Sequence, residues 1–428
     1  ELLRTLALSM SFQSSEAVVW ASRLVIFSIL YALQGYVPIV PFLVSKGEVG
    51  IILSTQGWAS VAALIPAGFA IDKYGAKGVL QLGVLMSLLS LGLMATSSGF
   101  ATQLLARVVL GAATSVIFNS AMALIMEHFT EPKRSEHLGL AVGLGSLGNL
   151  AGPPCMGALF DAASAEGLPE PQFWAVLPPL LLFVIIYKML HDVVSKTEPL
   201  LEKDKQDDLL AKACGGLYLF KNGRVLVLTF ELICIFAANN AFVTAAAIEL
   251  QRNGFSSAWI GMITMPSGLM QCLLSQWAGR VAGSVKNRER ILLYTPTLLG
   301  SSLLFIAFSA KSMAFLATLD SSVSTLLVPI LSTLVVSSAA LGAADAPAMS
   351  MMADLAAAQG VGYGQALTAS EMAINAGLAM GPSLAALALS ANWNYFEISL
   401  VGAVCALLAA LCSAYALRDV QHAGAGAT

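Results

Sequence analysis

Gly148-Asn149-Leu150-Ala151-Gly152-Pro153 and Gly377-Leu378-Ala379-Met380-Gly381-Pro382 are one phrase written twice, 229 residues apart. Each copy sits inside an apolar stretch, and each stretch is the fifth in a run of six. Gly at four-residue spacing lets helix backbones approach closely in a membrane. Pro removes a backbone donor and bends a helix. Such a break is tolerated at membrane depth only where neighbouring protein satisfies the freed carbonyl. The repeat predicts two matching bundles of six helices.

Working outward, the spans are expected at 23–44, 50–71, 78–96, 100–126, 137–160 and 173–190. Those of the second run are expected at 225–248, 259–281, 291–309, 325–352, 363–389 and 396–417. The domain plan is a cytoplasmic or interfacial segment 1–22, a bundle 23–190, a polar cytoplasmic linker 191–224, a second bundle 225–417 and a cytoplasmic tail 418–428. The stretch 310–324 is expected as a loop on the far side. The chain begins at Glu1, so the natural N-terminus is expected upstream, and no signal peptide is evident in it.

Composition agrees. Of 428 residues only 11% are charged, against about 25% in soluble domains. Mean hydropathy is +0.79. The expected class is an all-α polytopic membrane protein of twelve transmembrane helices. A net charge of −3 gives no reason to expect nucleic acid. The six Cys have no metal or disulfide-framework spacing. Those in the spans, Cys155, Cys234, Cys272, Cys405 and Cys412, are expected as buried small hydrophobes. With both termini cytoplasmic, 18 of the 22 Lys and Arg fall on that side. Lys46, Arg252 and Lys311 fall opposite, and Arg107 lies within a span.

Arg107, Glu231, Asp345 and Glu371 are the ionisable groups placed inside spans. A charge at the bilayer centre costs at least about 2.5 kcal/mol, so each needs a reason. Counting along their helices puts the three acids in one layer, roughly 9–12 Å from the cytoplasmic face. Burial favours the neutral acid, so such a group can load and release a proton. The plainer alternative is a polar tie between helices. Asp345, Glu371, Glu231 and Arg107 are therefore the proton-coupling candidates. Gln34, Tyr31, Asn119, Asn239, Asn240 and Asn375 are the candidates for a substrate cavity, with Asn149, Gln271, Tyr36 and Trp58 as further polar or aromatic groups. His128 and His137 read as solvated loop residues.

These features resemble the major facilitator superfamily over nearly the full chain. Gly68-Phe-Ala-Ile-Asp72-Lys73-Tyr-Gly75-Ala76-Lys77 is similar to that superfamily's loop motif after the second helix, with Ala76 in place of a basic residue. Leu105-Ala-Arg107-Val-Val-Leu-Gly111 resembles the fourth-helix Arg motif of proton-coupled members. The Gly148 phrase resembles the fifth-helix motif of antiporters. Within the superfamily the nearest likeness is to vesicular amine transporters and drug:proton antiporters, from Val37-Pro38-Ile39-Val40-Pro41, Pro347, Tyr363-Gly364, Glu371 and Gly381-Pro382-Ser383. At the place of their first-helix amine-binding Asp stands Ile29. At the place of their tenth-helix Asp stands Gly342, with Asp345 one turn on.

The resemblance implies a multi-pass carrier, not an enzyme. It would exchange a small cationic or neutral organic substrate for protons by rocker-switch alternating access, in the plasma membrane or a vesicle membrane. No cofactor and no metal is expected; the partners are substrate, protons and the lipid bilayer. Gly68, Asp72, Lys73, Gly75 and Lys77 would latch the halves; Gly148, Gly152, Pro153, Gly377, Gly381 and Pro382 would bend and pack helices. The alternatives are a metabolite uniporter or proton symporter of the same fold, and a transporter-like subunit of a larger membrane assembly.

Overall fold

A computed structural model describes residues 14–96, 99–128, 133–194, 219–281, 285–316, 324–358, 363–393 and 395–425. Among them are twelve long helices: α1 Ser14–Gly35, α2 Lys46–Tyr74, α3 Ala76–Thr96, α4 Phe100–His128, α5 Lys133–Ala165, α6 Pro171–Val194, α7 Gly223–Arg252, α8 Ser257–Val281, α9 Val285–Leu316, α10 Ser324–Ala358, α11 Tyr363–Ser390 and α12 Tyr395–Ala425. A short helix, Val40–Leu43, follows α1. The shortest long helix has 21 residues. At about 1.5 Å per residue it covers the roughly 30 Å hydrocarbon layer.

Nine of the twelve are long and apolar enough, over a continuous stretch, to cross a membrane. The other three are α1, α5 and α8. Two of these, α5 and α8, pack on one another. A helix that faces protein on several sides has less need of an apolar surface than one that faces lipid.

The helices form two bundles with the same internal contacts. In the first, α1 packs on α5 and α2 on α4; in the second, α7 packs on α11 and α8 on α10. Each bundle has its own apolar core, one drawn from residues 21–190 with Ile248, the other from 228–406. The bundles meet through α2 against α11 and α5 against α8.

Local sequence sets the helix ends. Ser45 and Glu48 form a reciprocal cap at the start of α2, with Ser45 N–H donating to Glu48 Oε2 at 2.9 Å. Gly75 ends α2 at φ +81°, a left-handed conformation in which a side chain would be strained. The Asn222 side chain accepts from Arg224 N–H at 2.9 Å and starts α7.

Several expected boundaries move. The first helix begins at Ser14, nine residues before the expected 23, and it ends at Gly35 rather than 44. The last runs through the expected tail to Ala425, and α9 runs through part of the expected 310–324 loop to Leu316. Alanine-rich or mixed-polarity ends stay helical beyond the apolar core because hydropathy marks the lipid layer, not the helix. Most of the linker, 195–218, lies outside the described residues. The cysteines are also not uniformly buried: Cys155 and Cys412 are exposed and Cys234, Cys272 and Cys405 half-buried, all unbonded. On a membrane helix a small apolar thiol can face lipid as readily as core.

Candidate functional site

The repeated phrase organises the contact between the halves. A Cβ added to Gly148 would stand 2.3 Å from the Phe27 carbonyl oxygen, and one on Gly152 2.4 Å from that of Tyr31, both on α1. In the second half the same test on Gly377 meets the Ile233 oxygen at 2.9 Å, and on Gly381 the Ala237 oxygen at 2.5 Å, both on α7. Only glycine permits these approaches. The prolines face the other way, across the boundary. The Pro153 carbonyl oxygen lies 2.4 Å from where a Gly261 Cβ would be on α8. The Pro382 carbonyl oxygen lies 2.5 Å from the corresponding point at Gly50 on α2. One Gly-Pro pair therefore packs a fifth helix onto the first of its own bundle and the second of the other.

Polar groups add to this seam. Asp161, at the end of α5, takes the start of α8: Oδ1 accepts from Ser257 Oγ at 2.8 Å and Oδ2 from Ala258 N–H at 2.8 Å. A carboxylate at a helix N-terminus complements unpaired N–H groups and the helix dipole. Gln251 Nε2, near the end of α7, donates to the Pro41 oxygen at 2.6 Å. These contacts lie toward the face where α5 ends and α8 begins, opposite the face where α1 begins and α12 ends. In this structure the halves are joined at that distal side.

The predicted groups separate into three sets. In the first half, Arg107 on α4 is 0% exposed. Its Nη1 donates to Gln56 Oε1 of α2 at 2.5 Å and to the Leu33 oxygen of α1 at 3.4 Å. The guanidinium carbon stands 5.2 Å from the Tyr36 ring centroid. Nε and Nη2 have no partner among the described residues. Tyr36 donates in turn to Gln103 at 3.0 Å. Arg107 thus belongs to a polar cluster within one bundle.

In the second half Glu371, on α11, is partly exposed; Asn375, one turn on, donates to its carboxylate at 3.3 Å and to its carbonyl oxygen at 2.8 Å. Glu231 is instead buried inside the bundle. Asp345 lies in α10, and Asp72 in α2, with side chains outside the described set. Glu371 and Glu231 therefore do not share one environment.

Matching Gly148 with Gly377 by their contacts aligns Phe27 with Ile233, an offset of 206 residues. The same offset pairs Gln34 with Asn240, and both are partly exposed. Asn119 and Asn375 are partly exposed too, and Trp58 is exposed. Tyr31 is buried beside Phe27, with ring centroids 5.9 Å apart, and Asn239 is buried with Oδ1 unpaired among the described residues. Lys73 is exposed over the Phe69 and Tyr74 rings. Gly68 has open space around it.

The two departures from the amine-transporter pattern have physical reasons. Ile29 is fully buried in the core of the first bundle. A Cβ at Gly342 would stand 2.2 Å from the Gln271 carbonyl oxygen of α8, so no acid can occupy that position. Sequence reading missed Gln56, Gln103, Asp161, Gln251, Gly50 and Gly261. None carries a local signal, because each partner lies on another helix, as with Asp161 and Ser257, 96 residues apart.

Comparison with known proteins gives a consistent picture. A model of the Major Facilitator Superfamily matches residues 23–361. The chain is 25% identical over 229 residues to the vesicular acetylcholine transporter of Drosophila melanogaster, covering 51% of this chain and 36% of that protein. It is 29% identical over 117 residues to a probable vesicular acetylcholine transporter-B of Danio rerio, covering 27% and 24%. To the vesicular acetylcholine transporter unc-17 of Caenorhabditis elegans it is 26% identical over 152 residues, covering 34% and 28%. The chain spans 24–36% of the length of these curated relatives.

Proposed function

The chain belongs to the Major Facilitator Superfamily, and from that premise we propose that it exchanges a small organic cation or neutral molecule for protons across a membrane. The two bundles rock about the seam of α2 with α11 and α5 with α8. One observation carries the reading: Glu371, a carboxylate well inside α11, is partly exposed and held by Asn375 on a helix that spans the boundary between the bundles. An acid in that position meets solvent as the cavity opens and loses it as the cavity closes, so its proton is exchanged with each side in turn. Asp345 is the second proton carrier. Gln34, Asn119, Asn240 and Asn375 line the substrate space. The relatives' names make a quaternary ammonium compound such as acetylcholine the first substrate to try, and a vesicle membrane the first place to look.

The test is uptake of labelled acetylcholine, and of a panel of amines and neutral solutes, into proteoliposomes with and without a pH gradient. Accumulation against its gradient when the interior is acidic supports antiport. Equilibration regardless of pH would make the protein a uniporter. Accumulation driven by protons moving the same way would make it a symporter.

A further inference from the structure

Glu231 lies away from the boundary between the bundles. It is 1% exposed, eight residues into α7, and Ser413 Oγ of α12 donates to its Oε2. Its Oε1 is buried with no partner among the described residues. A cavity of about 20 Å³ opens at this carboxylate, walled by Leu292 of α9 and Met351 of α10. Its other charged wall is Arg224, one residue after the start of α7 and exposed at that face. A single water needs roughly 10–15 Å³, so one water fits and a larger ligand does not.

Packing does not demand an acid here. The offset that relates the halves places Val25 at the equivalent point of α1, fully buried. An ionised carboxylate at Glu231 would have one hydrogen bond for two buried oxygens, which is costly. A proton on Oε1 turns that orphaned acceptor into a donor that a cavity water can accept. Around it, Arg224 faces the cavity and Cys234 lies one turn along α7, with Cys405 and Cys412 of α12 beyond it. Arg288 and Glu289 stand at the start of α9, Glu371 is on α11, and Asp345 and Asp354 of α10 lie outside the described side chains.

We propose that Glu231 and Ser413 form a proton-binding site of the second bundle, separate from the space between the bundles and loaded from the face beside Arg224. A proton passes from the aqueous phase through the cavity water to Oε1. Ser413 holds Oε2, and no other bond changes. The site does not depend on the transport reading, because its readout is protonation rather than flux.

Infrared spectra of the purified protein in lipid nanodiscs, titrated with pH in H2O and D2O, test this. The parent is expected to show a carboxylic-acid carbonyl band that is absent from Glu231→Gln and shifts in D2O. In Ser413→Ala the band moves to higher wavenumber, because the carbonyl loses its donor. A parent-minus-variant spectrum with no such band overturns the site, as does a band that ignores D2O. If Glu231→Gln does not fold, Ser413→Ala decides, and a spectrum identical to the parent's overturns the proposal.

Discussion

The two bundles share a backbone design and differ in their charge. In each, the fifth helix presses two glycines onto the first, and a proline carbonyl onto a glycine of the opposite bundle. Yet the first bundle buries a cation, Arg107, tied to Gln56, Leu33 and Tyr36 of the same bundle. The second holds acids in unlike settings: Glu371 partly exposed on a boundary helix, Glu231 buried within the bundle. Duplicated packing maintains the architecture, and it leaves each bundle free to carry its own polar groups. On the proposed function the first bundle is a fixed frame and the second the half that titrates.

That comparison breaks first at the glycines. Gly152→Val and Gly381→Val each drive a side chain into a carbonyl oxygen, and each is expected to cost about 3 kcal/mol or more. Size-exclusion profiles should show loss of folded protein for both. If one bundle tolerated the change with its melting curve intact, the packing symmetry would be only apparent.

The frame itself is tested at Gln56. Gln56→Leu leaves Arg107 Nη1 with the long contact to Leu33 alone, at an expected cost of about 2 kcal/mol. A lowered melting midpoint with gradient-independent exchange preserved marks the cluster as structural. An unchanged midpoint with transport lost would move Arg107 into the transport machinery.

Glu371→Gln sharpens the contrast. It keeps shape and the Asn375 contact but removes titration, so accumulation should fall by about tenfold for each pH unit of gradient. Exchange without a gradient should survive. Undiminished uphill uptake in this variant and in Asp345→Asn, singly and together, would leave both acids structural.

The smallest effect is expected at the seam. Asp161→Asn removes the charge at the start of α8 and should weaken distal closure by up to about 1 kcal/mol, or about fivefold in population. Distances between spin labels placed across that face would report a larger open fraction. No change would show that backbone packing holds the face unaided, at Gly261 and at Gly157, where an added Cβ would stand 2.6 Å from the Ser257 oxygen.

Much of this was legible in the chain. The repeated phrase, the even number of apolar stretches and the Asp72-Lys73 motif, which the structure places in the last turn of α2, led to the superfamily and to twelve helices. The spacing of the paired glycines already pointed to close helix approach, because that is a local demand on residue type; that the prolines meet a glycine of the opposite bundle was not legible. The environments of the charged residues were not. Counting residues along spans put Glu231 and Glu371 in one layer, but depth says nothing about which side of a helix faces lipid, core or the other bundle. Hydropathy also missed the first nine residues of α1, since Ser14 to Ser22 include a charge and three serines that a helix end accommodates readily.

The sequence by itself determined the membrane class, the six-plus-six plan and the glycines that let the fifth helix of each bundle approach the first. Those follow from composition and spacing, which act within one helix and need no partner to be read. Tertiary structure decided that Arg107 turns into its own bundle, that Asp161 caps a helix of the other, and that Gly342 has no room for an acid. It also decided that Glu231 has a serine and a small cavity for company. Each of these depends on which face of one helix meets another from a distant part of the chain, and that choice is made by the packing of the whole bundle at once.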